Sequence, residues 1–90
     1  MVDWHVYIIC CADGTLYTGV ARDVERRLAE HNGGPRGARY TRGRRPVKLV
    51  YREAAADRAA ACRREASIKS LSRSQKEALI RAAAAIPMLS

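Results

Sequence analysis

The sequence predicts an α/β (α+β) domain: a small three-stranded mixed sheet covered by helices, in the order ββαβαα. Three observations predict it. Two short apolar runs rich in β-branched and aromatic residues flank an Asp13-Gly14 turn signal. Helix-start signals follow at Asp23, Asp57 and Ser72. The length, 90 residues, suits one domain spanning 1–90 and leaves little room for a second.

The elements follow in order. Trp4 to Ala12 reads as a strand, and Thr15 to Val20 as its hairpin partner. A three-residue Ala12-Asp13-Gly14 loop puts the left-handed position on Gly14. That register pairs Ile9 with Tyr17 and Tyr7 with Gly19. It gathers Val6, Ile8, Cys10, Leu16 and Val20 on one face and sets Tyr7 beside Tyr17 on the other. A two-residue loop would separate the tyrosines and mix the faces. Asp23 caps a helix over 24–32, with Val24 and Leu28 at i, i+4, and Gly33-Gly34-Pro35 stops it. Pro46 leads a third strand over 47–52. Asp57 caps a second helix to about Ser70. Ser72-Arg73-Ser74-Gln75 is a capping box for a third, whose stripe is Leu79, Ala82, Ala83 and Ile86 and which Pro87 ends.

Composition excludes several classes. An apolar fraction of 48% is too high for a disordered basic tail. The longest apolar run, Val6 to Ala12, is far short of the about 20 residues of a membrane span. No basic segment with a cleavage pattern precedes Val6, so no signal peptide is expected. Cys10, Cys11 and Cys62 are odd in number and lack CxxC spacing. They read as free thiols in a reducing cytoplasm, not as a disulfide or zinc framework.

The net charge is +8, and of the 17 basic residues only Lys48, Lys69 and Lys76 are not arginine. Arginine grips phosphate through a planar fork of donors. Arg36, Arg39, Arg42, Arg44 and Arg45 cluster in one loop with Gly37, Tyr40 and Gly43 interleaved. Such a loop suits a nucleic-acid contact; the plainer alternative is a solvated basic loop.

Three further features could carry chemistry. Tyr7 and Tyr17 share a sheet face, where core tyrosines are the ordinary explanation. Arg27 and His31 lie one turn apart on the first helix, beside its apolar stripe. A surface arginine and a histidine favoured by the helix C-terminus would look the same. Glu65 interrupts the apolar face formed by Ala61, Cys62 and Ile68. A carboxylate there needs a partner, either Lys69 at i+4 or a metal ion. The other acids read as turn, cap or surface residues, so no carboxylate cluster suits a two-metal site.

His5-Val6-Tyr7, then nine residues, then Tyr17-Thr18-Gly19, followed by Arg27, His31 and Glu65, resembles the GIY-YIG nuclease family. The stretches LYTG, DVERRLAEHN, ARYTRGRRPVKLVY and REASIKSLSR resemble its small single-domain bacterial branch, over about residues 3–85. His5 departs from the motif glycine and Thr18 from the motif isoleucine. The resemblance implies a DNA phosphodiesterase using one divalent ion, Mg2+ or another such as Mn2+. Glu65 would hold the metal, and Tyr7 or Tyr17 would take a proton from water. Arg27 would bridge phosphate oxygens. His31 would position a tyrosine or shuttle a proton. Lys69 would contact phosphate or pair with Glu65. The expected function is an endonuclease or exonuclease, structure-selective or non-specific, in DNA repair or processing. RNA stays open as a substrate, and a weak homodimer is one way for so small a domain to grip DNA. The alternatives are a non-catalytic nucleic-acid-binding module and an adaptor whose arginine loop docks an acidic protein.

Overall fold

The structure, a computed structural model, describes residues 4–85. Strands β1 (Trp4–Cys10) and β2 (Leu16–Ala21) form the hairpin, followed by α1 (Val24–Asn32) and a one-turn helix α2 (Arg39–Arg42). Strand β3 (Lys48–Ala55) leads to α3 (Arg58–Lys69) and α4 (Arg73–Ala85). The sheet order is β2-β1-β3. The architecture is the predicted one, with one correction: both pairings of β1 are antiparallel, so the sheet is not mixed.

The hairpin has the expected register, with Ile9 opposite Tyr17 and Tyr7 opposite Gly19. Cys11 and Thr15 close it (N to O, 2.8 Å), and Gly14 takes φ 84°. An L side chain is disfavoured at that angle, which is why the turn needs glycine.

The sheet separates two apolar layers. Tyr7, Ile9 and Cys11 pack with Val24 of α1 and with Val47, joined by Tyr17, Ala21, Leu28 and Leu49. Val6 and Ile8 pack with Ala61 and Ile68 of α3 on the other side, joined by Leu79 and Ile80 of α4. Burying each large aliphatic side chain is worth about 1.5–3 kcal/mol. Along β3 the register shifts between Ile8 and Ile9 of its partner. The extra residue lets Val50 and Tyr51 join the same layer while Leu49 joins the opposite one.

The caps behave as predicted. Asp23 accepts from Arg26 N and Asp57 from Ala60 N. Ser72 and Gln75 bond reciprocally, Ser72 N to Gln75 Oε1 at 2.9 Å and Gln75 N to Ser72 Oγ at 3.2 Å. Some details differ. β3 runs on to Ala55 because Trp4 and His5 pair with Ala55 and Ala54, so tertiary pairing overrides the weak strand propensity of alanine. The packed side of α4 is Leu79 and Ile80, whereas Ala82 is exposed. Ile86 and Pro87 lie outside the described residues. Among the described residues no helix is long and apolar enough to cross a membrane.

Asn32, the last residue of α1, clamps the entry to β3. Its Nδ2 donates to Val47 O at 2.9 Å, and Val47 N donates to its Oδ1 at 2.7 Å. Asn32→Ala should lower unfolding free energy by about 1–3 kcal/mol in urea titrations, the value of two part-buried hydrogen bonds. Asn32→Asp keeps the acceptor and should lose less.

Candidate active site

The antiparallel register builds the aromatic half of the site. Tyr7 lies opposite Gly19, and both tyrosines belong to the α1 layer. A Cβ at position 19 would stand 2.5 Å from Tyr7 Oη and 2.6 Å from its Cζ. The phenol therefore lies across the β2 backbone, and only glycine there leaves it room. His5, two residues earlier on β1, is half-buried, and its Nδ1 is buried without a hydrogen-bond partner.

Helix α1 supplies the polar half. Arg27 is half-buried; its Nη1 donates to Glu30 Oε1 at 3.0 Å and to Arg36 O at 2.6 Å. One turn on, His31 is fully buried. Its Nε2 lies 2.8 Å from Tyr7 Oη, and its Nδ1 lies 3.0 Å from Thr41 Oγ1. Its ring meets Tyr7 and Tyr17 edge-on, with centroids 5.9 and 5.4 Å away. Burial, then the charges of Arg27 and Arg45, push the imidazole down to about pKa 4, against the opposing pull of Glu30. His31 is thus neutral at pH 7. It is not the surface histidine that a helix C-terminus would favour: that dipole is worth only about 0.3–1 kcal/mol at exposed sites, and desolvation outweighs it.

Burial likewise pushes the Tyr7 phenol up to about 12, with Tyr17 and the Glu65 carboxylate adding to it and Arg27 opposing. Tyr17, Arg27 and Glu65 thus all act electrostatically on one buried hydroxyl. Glu65 comes from α3, which packs on β1 and β2. It is half-buried, with Lys69 Nζ 3.2 Å from its Oε2.

Among the described residues no three His, Cys, Asp or Glu side chains group to hold a metal. That matters for the kind of ion. Zinc needs three or four protein ligands, whereas magnesium keeps most of its waters and takes one or two carboxylates. A lone half-buried carboxylate, with Lys69 as its ion-pair partner, fits the second pattern.

Three of the five arginines of the basic loop are engaged by the fold itself. Arg45 donates from Nε to His31 O at 2.6 Å and from Nη2 to Gly34 O at 2.8 Å, tying down the end of α1. Arg42 reaches Pro35 O at 2.7 Å and Gly37 O at 3.3 Å. Arg44 donates to Tyr40 O at 2.7 Å, pairs with Asp13 at 3.0 Å, and lies 4.1 Å over the Tyr40 ring. Tyr40 in turn stacks on Tyr17, with centroids 5.6 Å apart. These three arginines fold the loop against the site, and Arg36 and Arg39 are exposed. Sequence reasoning missed Gly37, whose Cβ would meet Glu30 O at 2.7 Å, and the fully buried Thr41. A threonine between basic residues in a glycine-containing loop carries no periodic apolar signal, although Gly37 is the kind of residue that close backbone approach requires.

The predicted set is thus two tyrosines on one sheet face, an arginine and a histidine from the adjoining helix, and a glutamate from α3. Residues 3–78 match the GIY-YIG catalytic domain, and the chain belongs to that family. It is similar to a UPF0213 protein of Desulfotalea psychrophila, 57% identical over 79 residues, covering 88% of this chain and 72% of that one. It is also similar to a UPF0213 protein of Halobacterium salinarum, 60% identical over 75 residues, 83% of this chain and 96% of the relative. The solution NMR structure of a UPF0213 protein from Bacillus halodurans aligns with TM-score 0.56 at 46% identity, over 87% of this chain and 82% of that one. A protein of E. faecalis solved by NMR aligns with TM-score 0.60 at 38% identity, over 91% and 90%.

Proposed function

We propose that the protein hydrolyses nucleic-acid phosphodiesters, DNA foremost, with Tyr7 as the general base and Glu65 as the ligand of a divalent ion, Mg2+ or Mn2+. The observation that carries this reading is the 2.8 Å contact between the buried Tyr7 hydroxyl and the neutral His31 Nε2, with the charges of Arg27 and Glu65 both felt at that hydroxyl.

A free phenolate at pKa about 12 would cost about 7 kcal/mol at pH 7. His31 offers a way around that cost. Water gives its proton to Tyr7 Oη while the Tyr7 proton passes to His31 Nε2. The water oxygen bonds to phosphorus, the P–O3′ bond breaks, and the departing oxygen takes a proton from solvent. An imidazole with pKa about 4 then returns its proton readily through the phenol. Arg27 donates to the non-bridging oxygens as charge gathers on them. Glu65 would hold a divalent ion, which when bound would supply charge stabilisation for the leaving oxygen. Tyr17 is set between the rings of His31 and Tyr40. Exposed Arg36, Arg39 and Lys69 offer contacts to phosphates, and a domain gripping mainly phosphates suits structure-selective or non-specific cutting in DNA repair or processing. Free Cys10, Cys11 and Cys62 suit the cytoplasm.

Nicked, branched and single-stranded DNA, with RNA alongside, should be incubated with the protein and Mg2+. Cleavage that EDTA stops is expected. Arg27→Ala and Glu65→Gln should each lower the rate by about 10²-fold or more. No cleavage by the wild type, or equal cleavage by the variants, refutes the proposal. Salt-steep binding without turnover would instead support the binding-module alternative.

A further inference from the structure

We propose that Thr41 is a positioning residue: its hydroxyl, aimed at the Ala38 carbonyl, holds the buried His31 ring as the Nδ1–H tautomer and leaves Nε2 bare to accept the Tyr7 phenol proton. The role in catalysis rests on the reading of Tyr7 as the base; the tautomer does not.

Proton counting carries the inference. Thr41 and His31 are both fully buried, so each polar atom there needs a protein partner. Thr41 Oγ1 stands 2.9 Å from Ala38 O and 3.0 Å from His31 Nδ1. A carbonyl only accepts, so the first contact is a hydrogen bond only when the single hydroxyl proton points at Ala38. Thr41 then faces His31 with a lone pair, and Nδ1 must supply the proton between them. Nε2 is left without one, and its 2.8 Å partner, Tyr7 Oη, donates. The chain Tyr7 O–H to His31 Nε2, His31 Nδ1–H to Thr41, Thr41 O–H to Ala38 O gives every member a partner of the right sign.

The opposite tautomer does worse. It turns the Thr41 proton away from Ala38 O, which then keeps only its two backbone donors, and directs a second donor at Tyr7 Oη. Arg27 already favours the unprotonated form of that oxygen, so the phenol proton itself is left without its acceptor. Its one gain is the Ala38 N–H to His31 Nδ1 contact at 3.4 Å, beyond the usual 2.7–3.2 Å range. The one-turn helix α2 carries this hydroxyl: Thr41 N and Arg42 N both bond to Ala38 O, at 3.0 and 3.2 Å, which fixes the position of the acceptor at the end of the chain.

The test is the long-range 1H–15N spectrum of the His31 ring at neutral pH in the free protein, compared with Thr41→Ser and Thr41→Val. Wild type and Thr41→Ser should show a pyrrole-type Nδ1 and a pyridine-type Nε2. Thr41→Val leaves only the Ala38 N–H as a partner for Nδ1, and the two shifts should exchange. A pyridine-type Nδ1 in the wild type overturns the proposal, as does a Thr41→Val spectrum that keeps the wild-type pattern. If Thr41→Val does not fold, the wild-type and Thr41→Ser spectra still decide. Under the proposed activity, Thr41→Val should lower kcat about 10²-fold or more at unchanged KM, with Thr41→Ser restoring it. Cleavage kinetics equal to wild type in a Thr41→Val protein whose tautomer has exchanged would remove the catalytic role and leave the tautomer assignment standing. Absence of cleavage in every protein would count against the nuclease reading, and the ring spectra would be untouched by it.

Discussion

Tyr7→Phe should lower kcat by about 10²–10⁴-fold while leaving KM for DNA nearly unchanged, because it removes the proton acceptor and little of the substrate-binding surface. The split between kcat and KM is the informative part. Tyr7 is only 2% exposed, so its ring contributes to the core, and phenylalanine keeps that contribution. The hydroxyl also has a structural cost of removal: His31 Nε2 loses its 2.8 Å partner inside the protein. A buried group left without its partner costs about 1–3 kcal/mol, so the variant should also melt earlier. Single-turnover cleavage and a urea titration on the same preparation separate the two effects. A variant that is less stable but cuts at the wild-type rate would strip Tyr7 of its chemical role and leave it a core residue.

Acidification should destabilise the protein well above the range where carboxylates titrate. The His31 pKa is depressed to about 4 in the folded state, against about 6.5 for an unperturbed histidine. Between those values the unfolded chain binds a proton that the folded chain does not, so unfolding gains free energy as pH falls. The stability is complete above about pH 6.5, declines through the interval, and levels off for this group below about 4. The full interval corresponds to roughly 3 kcal/mol. Asp13, Glu25 and Glu30, all held below their ordinary range by hydrogen bonds from Thr15, Arg52 and Arg27 respectively, act at lower pH. Urea unfolding at pH 7 and pH 4.5 measures the difference, and His31→Gln should flatten it. Equal stability at the two pH values would mean that His31 is not held neutral by burial.

Much of this site was legible because strand geometry is strict. One loop length and one left-handed glycine set the hairpin register, and the register alone puts Tyr7 beside Tyr17 and over Gly19. Capping side chains act within three residues, so Asp23, Asp57 and Ser72 announced their helices locally. The convergence of Arg27, His31 and Glu65 was read from the family resemblance; helical spacing alone placed only Arg27 and His31 on one face. The loop between α1 and β3 was not legible. Its arginines look like a solvent-facing charge patch in sequence, yet Arg42, Arg44 and Arg45 bond to backbone carbonyls that become available only once the chain has folded back. Helix α2 is one turn long, too short for a periodic signal. The full burial of His31 depends on Tyr7, Thr41 and Arg45 arriving from three separate stretches of chain, which no local pattern encodes.

Under the proposed function, a carboxylate from α3 and the phenols of β1 and β2 serve a single divalent ion and a single scissile phosphate. A crystal grown with saturating Mn2+ tests it through anomalous scattering. One anomalous peak bound by Glu65 is expected, with Tyr7 and Tyr17 facing its water shell, and no such peak in Glu65→Gln. Manganese seated on another carboxylate, with Glu65 still paired only to Lys69, would contradict it.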